Sequence, residues 1–181
     1  MIFEEKTIAT VRIYEGKILN LRRDEVTIRD GKTSFREIVE HDGGVVIAAL
    51  TDEGTLPLVR QYRKAAERAV LELPAGKLEK GEDPTQAALR ELKEETGYSA
   101  GKIIRLPSAF SSIGYSTEVL HFYFARDLTP GDTDFDEGEA IEIAEYPMEQ
   151  ALAMIMSGEI EDAKTIAGIF MVREYERRQS E

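Results

Sequence analysis

A chain of 181 residues has room for one domain with a genuine core, with or without a small appended sheet, and is too short for two ordinary domains. Its 23 Lys+Arg against 35 Asp+Glu leave a formal net charge of −12, which argues against sequence-independent nucleic-acid binding, since that rests on basic patches that neutralise phosphates. The chain has no cysteine, so a disulfide scaffold and a thiol nucleophile are excluded and a reducing, cytoplasmic setting is the expectation.

Between Thr7 and Val39, apolar and polar residues alternate in three runs: Ala9 to Tyr14, Ile18 to Ile28, and Ser34 to Val39. Glu15-Gly16 and Asp30-Gly31 separate them, and period-two alternation broken by such turns predicts an antiparallel meander. Three strands with one apolar face make a poor independent domain, so this sheet is expected to pack on the main domain or on a second copy of the chain. It is placed in residues 1–42 and the main domain in residues 43–181. Val45 to Leu50 reads as a buried strand, Asp52-Glu-Gly54 as its turn, and Leu56 to Arg60 as the return strand. Ala69 to Gly76 then leads into a glycine turn and a helix. Further strands are expected at Ile103 to Leu106, Glu118 to Ala125 and Ala140 to Tyr146.

Two helices close the chain. Met148 to Ser157 stops at Gly158, and Asp162 to about Arg177 carries Ile166, Ile169, Phe170 and Val172 at near-helical spacing. Met148, Met154 and Met156 are read as packing residues. Mixed strands around a central helix, without strict βαβ alternation, favour an α/β sandwich over a doubly wound sheet. The start Met-Ile-Phe-Glu-Glu-Lys has no basic region followed by an apolar stretch, and runs such as Val45 to Leu50 are too short to span a bilayer, so no membrane association is expected.

The central helix is the most informative segment. Asp83 reads as its N-cap, Pro84 as its first-turn proline, Gln86 as the third position of a capping box and Gly97 as its stop, which predicts a helix over Pro84 to Thr96. Glu91, Glu94 and Glu95 then stand at i, i+3 and i+4 in its last turns, where the negative end of the helix dipole disfavours anions. Each like-charge pair costs roughly 0.2–0.5 kcal/mol, and Arg90 and Lys93 relieve only part of it. A local rule broken repeatedly in one place marks a functional site. A cation removes the cost, and hard oxygen ligands with no histidine or cysteine nearby suit Mg²⁺, with Mn²⁺ as a substitute. Mg²⁺ ordinarily keeps several waters and bridges to substrate phosphates.

The spacing G-x5-E-x7-R-E-L-x-E-E-x-G-Y, running through Gly76, Glu82, Arg90, Glu91, Glu94, Glu95 and Gly97, resembles the Nudix box at each fixed position. Arg36-Glu-Ile-Val-Glu-His41, Val59-Arg-Gln-Tyr-Arg63, Glu72-Leu-Pro-Ala-Gly76 and an acidic loop near Glu139 extend the resemblance to the ADP-ribose pyrophosphatase subgroup. That resemblance implies a Nudix-type α/β/α sandwich with a mixed sheet, an N-terminal antiparallel β-sheet extension through which two chains form a homodimer, and a catalytic domain in residues 43–181. It also implies Mg²⁺-dependent hydrolysis of a nucleoside diphosphate derivative, foremost ADP-ribose to AMP and ribose 5-phosphate. Other nucleotide sugars such as GDP-mannose, nucleoside triphosphates, and a catalytically silent ADP-ribose-binding module are the alternatives.

Carried over residue by residue, the resemblance makes Glu91 and Glu95 direct metal ligands, Glu94 a direct or water-mediated one, and the Ala75 carbonyl a further ligand. It makes Arg90 a clamp on the box glutamates and lets Glu82 hold the loop or an outer metal water, while Gly76 and Gly97 shape the turn and the helix stop. Arg63 falls where relatives contact the diphosphate, Glu72 where they place an acid near the ligand, and Arg36 toward the nucleobase end. Phe35, Tyr14 and Tyr62 could offer a stacking face, although a core role is the better reading of any one of them. The general base is expected from the loop Asp132 to Glu139, with Glu139 aligning best and Glu137 in reserve. Ile113 stands where the subgroup carries a proline in Ser-Pro-Gly, a departure that bears on substrate choice and leaves the metal site untouched. His41 and His121 have no second histidine or cysteine at a ligand-like spacing and read as structural.

Overall fold

Alternation in the first forty residues builds a separate sheet. The computed structural model describes residues 2–135 and 140–180. It divides into two compact units, Met1–Gly43 with Phe110–Val119, and Gly44–Ala109 with Leu120–Glu181.

In the first unit, β1 (Thr7–Glu15), β2 (Asn20–Thr27) and β3 (Thr33–Glu40) form an antiparallel sheet in that order. The β2–β3 connection carries Asp30 at φ 65° and Gly31 at φ 71°, the left-handed pair that matches the twist of a tight hairpin. Backbone bonds from Val39 N–H to the Tyr115 carbonyl (2.8 Å) and from Thr117 N–H to the Val39 carbonyl (2.9 Å) tie the 110–119 segment to β3. Strand β1 is exposed along its whole length, including Ile8, Val11 and Ile13.

The second unit comprises β4 (Gly44–Ala49), β5 (Thr55–Arg63), β6 (Arg68–Glu72), β7 (Ala75–Lys77), α1 (Pro84–Thr96), β8 (Ser99–Arg105), the short β9 (Ala109–Phe110) and β10 (Val119–Thr129) apart from their residues Phe110 and Val119, β11 (Ile141–Pro147), α2 (Met148–Ser157) and α3 (Ala163–Gln179). One sheet runs β7-β4-β10-β8 and is mixed, since β4 and β10 are parallel while β7 and β8 pair antiparallel with their neighbours. A second, antiparallel sheet runs β11-β5-β6.

The pleat of β4 and β10 sorts the core into two layers. Val45, Ile47, Ala49, Tyr123 and Ala125 face one way and pack with Ala87, Ala88 and Leu92 of α1. Val46, Ala48, Phe122 and Phe124 face the other way, toward Leu56, Leu58 and Leu71 of the second sheet, Ala151 and Leu152 of α2, and Ile169 and Val172 of α3. With both faces covered, all of β4 is buried, and it reads as a continuous apolar run instead of an alternating one. These layers form the α/β/α arrangement.

Gly168 lets α3 approach closely. A Cβ there would lie 2.5 Å from Leu73 Cδ1, a methyl with no exposed surface into which it can swing. Gly168→Val is expected to lower stability by about 2–3 kcal/mol, the upper part of the range for overpacking a close-fitting core. A denaturant midpoint at the wild-type value would contradict this packing.

Several expectations are corrected. Strand β8 starts at Ser99, before the expected Ile103, because Ser99 and Ala100 pair with Thr129 and Leu128 at the far end of β10, which itself outruns its expected end at Ala125. Met154 is buried but Met156 is 81% exposed, and Phe170 is 40% exposed, so neither is a core residue. Tyr14, Phe35 and Tyr62 are all exposed, which removes the core role read for them. No helix among the described residues is long and apolar enough to cross a membrane.

Candidate active site

The geometry of the site begins with how α1 is held. Asp83 accepts hydrogen bonds from the backbone N–H groups of Thr85 (3.0 Å) and Gln86 (3.2 Å), and Pro84 fills the first turn without wasting a donor. At the other end Gly97, at φ 75°, donates its N–H to the Lys93 carbonyl (2.8 Å). The turn that precedes the helix is fixed by the central sheet, since Ala75, Gly76 and Lys77 pair in register with Val46, Val45 and Gly44.

The glutamates expected on one side of the helix are brought together, and Arg90 is their hub. Its Nη1 donates to Glu91 Oε1 (2.8 Å) and Glu94 Oε2 (2.9 Å), while Nε and Nη2 each donate to one oxygen of Glu82 (3.1 Å). The bidentate bond to Glu82 is the leading cause that raises the Arg90 pKa and lowers that of Glu82. Glu82 also accepts from the Glu79 N–H (3.0 Å), which closes the loop before the helix. Glu95 is only 4% exposed and accepts from the Ala75 N–H (3.0 Å), binding the helix to the turn.

Gly76 is where helix and turn meet most closely. A Cβ there would fall 1.9 Å from Glu91 Cδ and Oε1, so the carboxyl of Glu91 lies in the space any side chain at 76 would take. Two carboxylates, Glu91 and Glu95, thus meet at a backbone turn, oxygen groups of the kind that suit a hard divalent cation. Among the described residues no three acids, histidines or cysteines converge on one open point, because Glu82, Glu91 and Glu94 turn toward Arg90.

A second cluster lies on the same unit. Glu72, 2% exposed at the end of β6, accepts from Arg63 Nε (2.6 Å) and Nη2 (2.8 Å), and also from Lys164 Nζ. Lys164 donates further to Asp162 Oδ2 (2.9 Å), which caps α3 by accepting from Thr165 N–H (3.0 Å) and Oγ1 (2.6 Å). Burial opposes ionisation of Glu72, yet the Arg63 bonds and the Lys164 charge outweigh it and hold its carboxyl below the usual range. Sequence reasoning named Arg63 and Glu72, which the structure brings together, and did not name Lys164.

The acidic loop meets the end of α1. Asp134 N–H donates to the Glu94 carbonyl (3.0 Å), and a Cβ on Gly97 would lie 2.3 Å from the Gly131 carbonyl oxygen. Glu137 and Glu139 lie outside the described residues. Arg36 belongs to the first unit, where it pairs with Glu5 (Nε to Oε2, 2.8 Å) and donates to the Phe35 carbonyl (2.8 Å). His121 Nδ1 lies 2.9 Å from Ser108 Oγ, and burial lowers its pKa.

Residues 40–168 match the NUDIX domain family. An ADP-ribose pyrophosphatase of Bacillus subtilis (strain 168) is 45% identical over 168 residues, covering 92% of this chain and 91% of the relative. A methanol dehydrogenase activator of Bacillus methanolicus is 43% identical over 170 residues, covering 93% and 92%. A crystal structure of an ADP compounds hydrolase superposes with a TM-score of 0.88 at 22% identity, covering 99% of this chain and 97% of that one, a likeness of fold.

Proposed function

The chain belongs to the NUDIX domain family, and from that premise we propose that it is a Mg²⁺-dependent hydrolase of a nucleoside diphosphate derivative, foremost ADP-ribose. The observation that carries this reading is the packing of Glu91 and Glu95 against the Ala75–Gly76 turn, with Glu94 held beside Glu91 by Arg90. The choice of ADP-ribose rests on the B. subtilis relative, which matches over nearly the whole of both chains.

Water adds to one phosphorus of the diphosphate, the bridging P–O bond breaks, and AMP and ribose 5-phosphate leave. Glu91, Glu95 and the Ala75 carbonyl would hold the cation, with Glu94 beside them directly or through water. Once bound, it offsets phosphate charge and lowers the pKa of a bound water. Arg90 and Glu82 keep Glu91 and Glu94 in place, as outer partners of metal ligands do. Arg63 brings positive charge to the diphosphate, and Glu139 takes the proton from water, with Glu137 in reserve.

The finer assignments follow from the same reading. The exposed apolar residues of β1, Ile8, Val11 and Ile13, support residues 1–42 as the part through which two chains pair, with residues 43–181 carrying the catalysis. The absence of cysteine supports a cytoplasmic setting. A substrate panel with Mg²⁺ tests the reading, and ADP-ribose is expected to turn over ahead of GDP-mannose and of nucleoside triphosphates. Turnover of triphosphates but not ADP-ribose would overturn the substrate, and binding of ADP-ribose without turnover would leave a binding module.

A further inference from the structure

Lys164 breaks a local rule. It lies in the first turn of α3, one residue past the cap-adjacent Ala163, where the positive end of the helix dipole disfavours a cation. Its side chain is nevertheless withdrawn to 18% exposure, which costs a lysine both hydration and rotamer freedom. What offsets both is Glu72, a carboxylate from a strand 92 residues earlier in the chain with almost no exposed surface.

The strand register shows what Glu72 in turn does. Arg63 is paired with Arg68 in the β5–β6 ladder and Glu72 with Val59, so the guanidinium reaches back along the strand to meet the carboxylate. Both of its bonds go to Glu72 in a planar fork, which fixes direction as well as distance. Arg63 remains 43% exposed, its Nη1 has no hydrogen-bond partner among the described residues, and Glu95 of α1 is close enough to add to the charge that raises its pKa. One edge of the guanidinium is therefore pinned by Glu72 while Nη1 is left open.

We propose that Lys164 and the buried Glu72 are positioning residues that act through Arg63, holding its free guanidinium edge toward the diphosphate of the substrate. This rests on the function proposed above. Glu72 does not touch the ligand in this account. Alone with Arg63, the buried carboxylate can rotate with the exposed guanidinium. Gripped by Lys164, which is itself tied to Asp162, it cannot.

Lys164→Met and Lys164→Arg, assayed with ADP-ribose and Mg²⁺, test the proposal. Lys164→Met is expected to raise KM about tenfold with kcat changed less than about threefold, the lower end of the loss seen when an orienting partner is removed. Lys164→Arg is expected to restore KM to within about threefold, and Mg²⁺ titration of the substrate-free protein should be unchanged in both. A folded Lys164→Met with wild-type KM, or with a fall confined to kcat, overturns it. If that variant does not fold, Glu72→Gln with Lys164→Met leaves no unpaired buried charge and is read by the same KM criterion. Should the wild type bind ADP-ribose without cleaving it, the hydrolytic reading fails separately and the same comparison is read from dissociation constants.

Discussion

Glu95→Gln is expected to lower Mg²⁺-dependent hydrolysis by more than about 100-fold, beyond the 10–100-fold typical for losing a partner of a metal ligand. The substitution isolates charge from packing. Glu95 is 4% exposed and its carboxylate accepts the Ala75 N–H at 3.0 Å, a bond that the glutamine carbonyl oxygen reproduces. The turn should therefore stay in place.

Metal-free stability should hold or rise slightly in this variant, because each like-charge pair in the last helical turns costs roughly 0.2–0.5 kcal/mol. The wild type should gain stability on adding Mg²⁺, by about 2.7 kcal/mol at a concentration 100 times the dissociation constant. Glu95→Gln should lose most of that gain. Thermal melts with and without Mg²⁺, read beside turnover, separate a ligand from a merely buried acid. Full hydrolysis, or an unchanged Mg²⁺-induced shift, would remove Glu95 from the metal site.

How much of this was legible in the sequence follows from how local each determinant is. The limits of α1 were readable to the residue, since Asp83, Pro84 and Gly97 act on backbone groups within one turn of themselves. The meeting of Glu91 and Glu94 was readable because helix periodicity fixes their side, whereas Glu82, which precedes the helix, was reached only through the motif. The start of β8 was not. Ser99 and Ala100 carry no strand signal, and only the length of β10 beside them makes them pair.

Faces were harder than elements. Phe170 fits an apolar stripe by spacing and Met156 reads as core by residue type, but which part of a helix meets the sheet is decided by how the helix is seated. Lys164 had no sequence signal beyond its awkward place near a helix start. Its partner lies on another strand, and only the burial of Glu72 gives its position a reason.

Gly76→Ala is expected to separate activity from stability most sharply. A Cβ at position 76 would fall 1.9 Å from Glu91 Cδ and Oε1 and 2.3 Å from Oε2, distances at which something must move. The backbone of Gly76 is held by its pairing with Val45 in the central sheet, and its φ lies outside the left-handed region, so alanine is conformationally allowed there. The Glu91 carboxyl therefore yields, leaving both the turn and Arg90 Nη1. A displacement of about 1 Å at a group proposed to hold a cation can cost on the order of 100-fold in kcat/KM. Stability should fall by no more than about 1–3 kcal/mol, the usual cost of an added methyl in a close-packed place. Gly97→Ala should behave in the opposite sense. Its φ of 75° and the Gly131 carbonyl oxygen, 2.3 Å from where a Cβ would sit, load the strain onto backbone, so unfolding is where that change should register. Wild-type activity in a folded Gly76→Ala protein would mean that Glu91 has no fixed place at the turn, and the metal site built on it would fall.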